Sequence, residues 1–172
     1  MILTASCGLF GLSGSDSGYP VPDKTTERLF YIQRNHNANT IVYDANFDAS
    51  GMLVVDFPMD VYWLRYQEQG QRMELRKAEK LFAYGVDCSP VKGKKNEYDL
   101  KLVADRERNF RLVQNGPFNA MVITSINKRE SRIDHLYIYA DNTSYWPKVK
   151  YIEFFGHDIK TGEPSYERVW NE

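Results

Sequence analysis

The chain has 172 residues, with 22 Lys plus Arg, 23 Asp plus Glu and a net charge of −1. This length corresponds to one domain that can bury a core without disulfides. The charge balance excludes a generic nucleic-acid binder, which carries a basic excess, and an acidic disordered chain. Aromatic residues make up 14% of the sequence, with 12 Tyr and 9 Phe, a composition typical of β-strands.

The N-terminal segment has two interpretations. Residues 1–12 are apolar and uncharged, and small residues precede Cys7, as they precede the acylated cysteine of a bacterial lipoprotein signal. Leu3 lies one position further from the cysteine than that pattern prefers. Residues 13–18 are rich in Ser and Gly, which is typical of a flexible tether. We therefore assign residues 1–24 to a signal remnant and tether with lipidation at Cys7. A disordered arm with a chance cysteine is the alternative.

Strand patterns begin near residue 25 and predict a single β-rich domain over residues 25–172. Residues 29–48 contain two β-type runs around an Asn-rich connection, which predicts a hairpin. A stronger run follows at 59–66. Turn residues then separate further strand candidates at 98–104, 109–114, 118–127, 132–140, 149–158 and 164–170. Such close spacing predicts antiparallel pairing and a mainly β fold, either a β-barrel-like or strongly curved sheet or a sandwich.

One segment has helical periodicity instead. Residues 71–83 are good helix formers, in which Leu75, Ala78 and Phe82 recur at spacings of three and four. Gly85 follows as a stop. The pattern predicts one α-helix over about 71–83 that packs through these three residues and covers part of the second, also apolar, face of the sheet. Exposed cross-strand aromatic pairs are the alternative explanation of that second face.

Four segments carry a resemblance to a known family. They are LFYIQRNHNANTIVYDAN (29–46), DVYWLRY (60–66), LFAYGV (81–86) and YIEFFGHDIKTGEPSYERV (151–169). In this order they resemble the bacterial family catalogued as domain of unknown function 4833, over nearly the whole chain from about residue 25. The resemblance implies one globular domain, often in envelope-exported proteins of Bacteroidetes-like organisms. It implies no reaction and supplies no catalytic residues.

The sequence has no motif for a specific reaction. It lacks HExxH, CxxC, Walker-type and GxSxG patterns. We expect no cofactor, no metal site and no disulfide between Cys7 and Cys88. His36 is explained by a turn. His157 and Asp158 are neighbours in a strand and therefore point to opposite faces. The catalytic residues, if there are any, stay unknown at this level.

Polar residues that interrupt apolar strand faces form the candidate binding site. Arg65 follows Trp63 on one strand face, and His135 and Glu153 interrupt aromatic faces of two later strands. If these faces line one cavity, they form an aromatic pocket with charged anchors, which is typical of a small-molecule site. The candidate site is therefore Trp63, Arg65, His135 and Glu153. In the alternative interpretation Arg65 and Glu153 are exposed charges at the sheet rim, and His135 is a hydrogen-bonded, half-buried histidine.

These observations favour a non-enzymatic cell-envelope protein that binds a small molecule, a glycan or an envelope protein. We expect export to the periplasm, or attachment to the membrane through a lipid on Cys7, and no nucleic-acid partner. A cytoplasmic location is the alternative. Two other functions stay open: a hydrolase-like enzyme that uses His135 with an Asp or Glu, and a structural module that binds partners through exposed Tyr and Trp.

Overall fold

The computed structural model describes residues 18–141, 143 and 148–171. Cys7 and most of the segment assigned to the signal remnant and tether lie outside these residues. The elements in chain order are β1 (Arg28–Arg34), β2 (Asn37–Ala45), β3 (Met59–Leu64), β4 (Arg72–Glu74), α1 (Lys77–Glu79), a π-helical turn (Lys80–Tyr84), β5 (Val86–Pro90), β6 (Glu97–Leu102), β7 (Asp105–Gln114), β8 (Ala120–Ile126), β9 (Arg129–Asp141), β10 (Lys148–Asp158) and β11 (Pro164–Trp170). The predicted mainly β class, with a strongly curved sheet and one helical segment, is confirmed.

The strands form one curled sheet that resembles half of a barrel. Its main path is β4-β3-β2-β1-β9-β8-β7-β6-β5, and β10 and β11 extend from β9 as a two-stranded wing. β1 and β8 pair with successive parts of one edge of β9, whereas β10 pairs along its other edge. The pairing of β1 with β9 is parallel, and the other named strand pairs are antiparallel.

Alternating side chains divide the sheet into two faces, as the period of two in the sequence predicts. On β1, Phe30 and Ile32 are fully buried in the hydrophobic core. Tyr31 lies between them in the sequence and points the other way. We call the side that packs the core the core face and the opposite side the outer face.

A β-bulge in β9 changes which face its side chains occupy. His135 pairs with Phe155 but Ile133 pairs with Gly156, so Asp134 is the extra residue. Ile133 is therefore fully buried in the core, while His135 points to the outer face. Regular strand alternation would place these two residues on one face, and the bulge prevents this. Gly156 permits the close approach, because a Cβ there would overlap the backbone oxygen of Arg132.

The helical segment is shorter than the predicted 71–83. Residues Arg72–Glu74 form β4, because pairing with β3 overrides their helix propensity. The helix begins at Lys77 and continues as the π-helical turn to Tyr84. Gly85 ends it, since a Cβ at this position would overlap the carbonyl oxygen of Lys80.

The packing face of this segment also differs from the prediction. Leu75 is buried, as expected, but Ala78 is exposed and Phe82 is 81% exposed. Tyr84 points inward instead, and its ring makes an edge contact with Trp63 on the core face at 5.3 Å between centroids. The segment therefore lies on the core side of the sheet, and the expectation that it covers the outer face was wrong.

Two consecutive strands form the two ends of the main sheet path. β4 and β5 are its terminal strands, and the helical segment connects them. Cys88 Sγ on β5 lies 3.7 Å from Met59 Sδ on β3. Side-chain contacts and the helical segment thus bring the two ends of the curled sheet together around the core.

Residues 18–25 form an extended segment across the outer face of β1, which we call the N-terminal strap. Gln33 Nε2 donates to the Pro20 carbonyl at 3.0 Å, and Arg28 Nη1 donates to the Asp23 carbonyl at 3.0 Å. The strap runs in the direction opposite to β1. The boundary between tether and domain at residues 24 and 25 stays a prediction.

Candidate functional site

Side chains on the outer faces of four adjacent strands form a row of neighbouring rings, of which the first three are stacked and the fourth is tilted. The strand register places Tyr31 beside His135, His135 beside Phe155, and Phe155 beside Tyr166. The ring centroids of these successive pairs are 5.0, 4.3 and 5.2 Å apart. The imidazole is parallel to the Tyr31 and Phe155 rings to within 7°. It is therefore packed between two aromatic faces.

This packing favours the neutral form of His135. Burial lowers the pKa of His135 from its usual value of 6.5, and the nearby carboxylates of Asp134 and Glu153 oppose that shift only in part. The imidazole is thus neutral at pH 7 and stacks as an uncharged ring. Such a group is suited to packing rather than to holding an anion.

Glu153 is the charged anchor of the outer face. Its side chain is fully buried, and its Oε1 accepts from the Tyr166 hydroxyl at 2.6 Å and from Arg168 Nε and Nη2 at 3.1 and 2.7 Å. Charge-assisted bonds of this kind are the strong ones in proteins. Its hydrogen bond to Glu153 raises the pKa of Arg168. Burial, and after it the separate hydrogen bond from the Tyr166 hydroxyl to Glu153, raise the pKa of Tyr166. Glu153 is therefore not an exposed charge at the sheet rim.

Arg168 connects this anchor to a second group of rings. Tyr139, Tyr151 and Trp170 lie side by side at 5.0 Å between successive centroids, and the Arg168 guanidinium lies 4.4 Å from the centroid of Tyr151. Tyr139 is 40% exposed and Trp170 is 63% exposed. We call Tyr139, Tyr151, Arg168 and Trp170 the aromatic patch. It is a solvent-facing surface whose central cation is fixed by a buried carboxylate.

A cleft of about 380 Å³ lies beside the first row of rings, between the N-terminal strap and the bulge in β9. Its wall includes Arg28, Tyr31, Asp134 and His157. His157 Nδ1 is 2.6 Å from Asp134 Oδ2, but the carboxylate lies off the direction of the Nδ1–H bond. The contact is therefore an ion pair when the imidazole is protonated, rather than an aligned hydrogen bond.

A larger depression of about 590 Å³ crosses β6, β7 and β8. Arg111 and Glu130, which form an ion pair, are part of its wall. It is an open surface lined by several charged groups. Its strand β8 pairs with residues 129–132 of β9, at the opposite end of that strand from Tyr139 of the aromatic patch. We therefore place the candidate site on the outer face of β9–β11.

The structure brings together only two of the four residues selected from the sequence. His135 and Glu153 share the outer face of β9 and β10. Trp63 is buried on the core face, where its Nε1 donates to Glu79 Oε2 at 3.3 Å. Arg65 follows β3 and pairs with Glu68 at 2.7 Å. Cys7, the candidate lipidation residue, lies outside the described residues.

Sequence reasoning did not include Tyr166, Arg168 and Trp170 in the candidate site. These residues alternate along β11, and the polar Lys160-Thr161-Gly162 turn predicts a hairpin between β10 and β11. A hairpin that closes there aligns Glu153 with Arg168 and Tyr151 with Trp170, as the observed register does. The turn position and the strand alternation together would therefore have predicted that Arg168 and Trp170 lie beside Glu153 and Tyr151.

Comparisons with known proteins define the family. The family model described as "Domain of unknown function (DUF4833)" matches residues 30–168. No curated protein and no solved structure matches the chain. Among the described residues, no cluster of three or more His, Cys, Asp or Glu side chains could hold a metal ion. The same part of the chain contains no helix long and apolar enough to cross a membrane.

Proposed function

Since the chain belongs to the DUF4833 family, whose function is unknown, its role must be argued from its own geometry, and we propose that it is a non-enzymatic recognition protein that binds a protein partner through the aromatic patch. The observation that carries this proposal is the exposed Trp170 beside an Arg168 that is fixed by the buried Glu153. Trp, Tyr and Arg are the residues that contribute most to binding at protein interfaces. Rigid aromatic side chains also lose little conformational entropy on binding.

Ring orientation favours a protein partner over a glycan. A sugar ring stacks on an open aromatic face, but the Tyr139 and Tyr151 rings are parallel to within 5° at 5.0 Å and cover one another. Their edges and hydroxyl groups are left for contact. Edges, hydroxyls and a fixed guanidinium match the carbonyl groups and apolar side chains of a polypeptide surface.

Photo-crosslinking followed by titration tests this proposal. A photoreactive phenylalanine analogue at Tyr139 identifies the partner, and the purified partner is then titrated against wild-type protein and Trp170→Ala. We expect the substitution to weaken binding by at least about tenfold, the effect of truncating a central interface residue. Asp99→Ala, an exposed change on β6, is the matched control. Equal affinity of wild type and Trp170→Ala would overturn the proposal, as would a glycan-array ligand whose binding requires Trp170.

We further propose that the protein works in the cell envelope, held by a lipid on Cys7. Support comes from the sequence alone, namely the apolar start, the small residues before Cys7 and the Ser/Gly-rich residues 13–18. Mass spectrometry of the native protein tests it. An acylated Cys7 at the new N-terminus is the expected result, and an unmodified Cys7 with Met1 intact contradicts it.

A hydrolase-like enzyme is the second candidate, and the 2.6 Å contact between His157 Nδ1 and Asp134 Oδ2 in the cleft is the observation that favours it. A general base needs a nucleophile or water within hydrogen-bond reach. In the described part of the chain His157 Nε2 has no hydrogen bond to a hydroxyl group. Hydrolysis of a generic ester that His157→Ala abolishes and Trp170→Ala leaves intact would favour this second candidate.

A further inference from the structure

The N-terminal strap lies over a groove on the outer face of β1 and its neighbouring strands. Pro22 is buried although it belongs to a segment without regular secondary structure. The Tyr19 hydroxyl donates to the carbonyl of Asn35 at 3.4 Å. Near the other end of the strap, Arg28 donates to the Asp23 carbonyl. The strap is thus a short extended peptide that follows one strand from end to end.

The groove contains a built polar anchor. Gln33 is only 5% exposed, and its side-chain amide donates to the Pro20 carbonyl at 3.0 Å and to Thr40 Oγ1 at 3.5 Å. A buried amide that loses its acceptor carries a desolvation penalty. The groove therefore favours a ligand that presents a backbone carbonyl at this position.

Aromatic side chains lie beside the strap. Tyr137 pairs with Gln33, whose amide donates to the Pro20 carbonyl, in the register of β1 and β9. Tyr31 shares the wall of the cleft with Val21 and Pro22 of the strap. An aromatic groove with a donor aimed at a backbone carbonyl is the arrangement that binds polyproline-type peptides.

The sequence of the strap has the matching chemistry. Tyr19-Pro20-Val21-Pro22 places proline at alternate positions. Each proline fixes its own φ and keeps the residue before it in the extended region. Such a peptide is already extended before it binds, so it loses little entropy in the groove.

The strap is also weakly attached. Residues 20–24 make no backbone–backbone hydrogen bond to a strand within the described part of the chain, and Val21 is 65% exposed. Side-chain donors and the burial of Pro22 contribute to holding it. A segment with few backbone bonds opens at low free-energy cost.

We propose that this groove is a binding site for proline-containing extended peptides, which the chain's own strap occupies in cis and a partner segment with the X-Pro-X-Pro pattern occupies in trans. The groove adjoins the aromatic patch where Tyr137 pairs with Glu153, but none of the four patch residues belongs to it. The strap lowers the apparent affinity for the partner, because only the fraction of molecules with an open groove can bind. Recognition of a partner therefore includes release of the strap.

Fluorescence anisotropy of a labelled peptide tests the proposal on the full chain. The peptide is residues 18–25 (GYPVPDKT), and the control peptide has alanine in place of both prolines. The strap variant Pro20→Ala/Pro22→Ala weakens the cis occupant. We expect it to bind the GYPVPDKT peptide at least about tenfold more tightly than wild type and to ignore the alanine peptide. Adding Gln33→Leu to the strap variant should remove most of the binding.

A second measurement stands even if Gln33→Leu fails to fold. A spin label on Val21→Cys, in a Cys7→Ser/Cys88→Ser background, reports the mobility of the strap. Excess GYPVPDKT peptide should increase the mobile fraction, and the alanine peptide should not. The proposal is overturned if the strap variant binds no more tightly than wild type, if both peptides act alike, or if strap mobility stays constant. These readouts use no partner of the aromatic patch, so the two proposals can fail separately.

Discussion

Arg168 donates from both Nε and Nη2 to the same carboxylate oxygen of Glu153, at 3.1 and 2.7 Å, across two paired strands. The carboxylate is fully buried and the guanidinium is partly exposed. The ion pair therefore connects a carboxylate buried beneath the outer face to a guanidinium at the protein surface. A surface cation with a buried counterion keeps its position without a bound partner, which is the preorganisation that recognition requires.

Glu153→Ala should lower the free energy of unfolding by about 1–3 kcal/mol, because Tyr166 and Arg168 lose a shared acceptor. Glu153→Gln keeps an acceptor and should cost less. Urea denaturation at pH 7 measures both changes. Glu163→Ala, whose side chain is 70% exposed, is the control and should have little effect. An unchanged midpoint for Glu153→Ala would mean that the anchor does not stabilise the face.

Stability should fall through His135 as the pH drops through 6.5 and below. Burial lowers its pKa in the folded state below the value of 6.5 that it has when unfolded. The unfolded state therefore binds more protons as the pH falls through 6.5, and the stability present above that pH is progressively lost. His135→Phe keeps the ring stack and should flatten the dependence, whereas the exposed His36→Gln should not. A profile that is the same for wild type and His135→Phe contradicts the assignment.

The helical segment offers a matched pair of substitutions. Leu75→Ala should lower the free energy of unfolding by about 2–5 kcal/mol because it leaves a cavity at a buried position. Ala78→Asp should change it by no more than about 0.5 kcal/mol, because Ala78 is exposed. Thermal melting of the two variants compares them directly. A large loss of unfolding free energy for Ala78→Asp would mean that Ala78 packs against the domain, as helical periodicity predicts.

Cys88 should be nearly inert in the folded protein. Burial raises the pKa of its thiol to about 12, so about one molecule in ten thousand carries a thiolate at pH 8, and the thiolate is the reactive form. In a Cys7→Ser variant, the rate of reaction with a thiol reagent at pH 8 measures Cys88 alone. Reaction should be slow in buffer and fast in denaturant. Equal rates in the two conditions would be inconsistent with a half-buried thiol of raised pKa.

Most strands were predictable because one face of each is buried and alternation marks it. The candidates at 109–114, 132–140 and 164–170 correspond to β7, β9 and β11. Hairpin turns between consecutive strands also follow from local sequence. The family resemblance, stated from four segments, is confirmed by the match over residues 30–168.

Other features depend on contacts that local sequence does not encode. β4 has only three residues, all exposed, and its pairing with β3 decides against a helix. The bulge at Asp134 breaks alternation within a strand, so the face of Ile133 could not be inferred from spacing. Trp63 and His135 lie on opposite faces of the sheet, because the pairing of strands distant in sequence decides which side chains share a face. The sequence pattern alone could therefore not show whether the two residues belong to one site.

The parallel pairing of β1 with β9 has a consequence for the order in which the protein folds. Tyr31 pairs with His135, roughly 100 residues later in the chain, and closing so long a loop is entropically costly and slow. The β1–β2–β3 meander can form as soon as it leaves the ribosome, but one edge of β1 then stays open until β9 has been synthesised. An open edge is a template for aggregation. We therefore expect nascent chains that end before residue 129 to need chaperone protection, and full-length chains to lose that need.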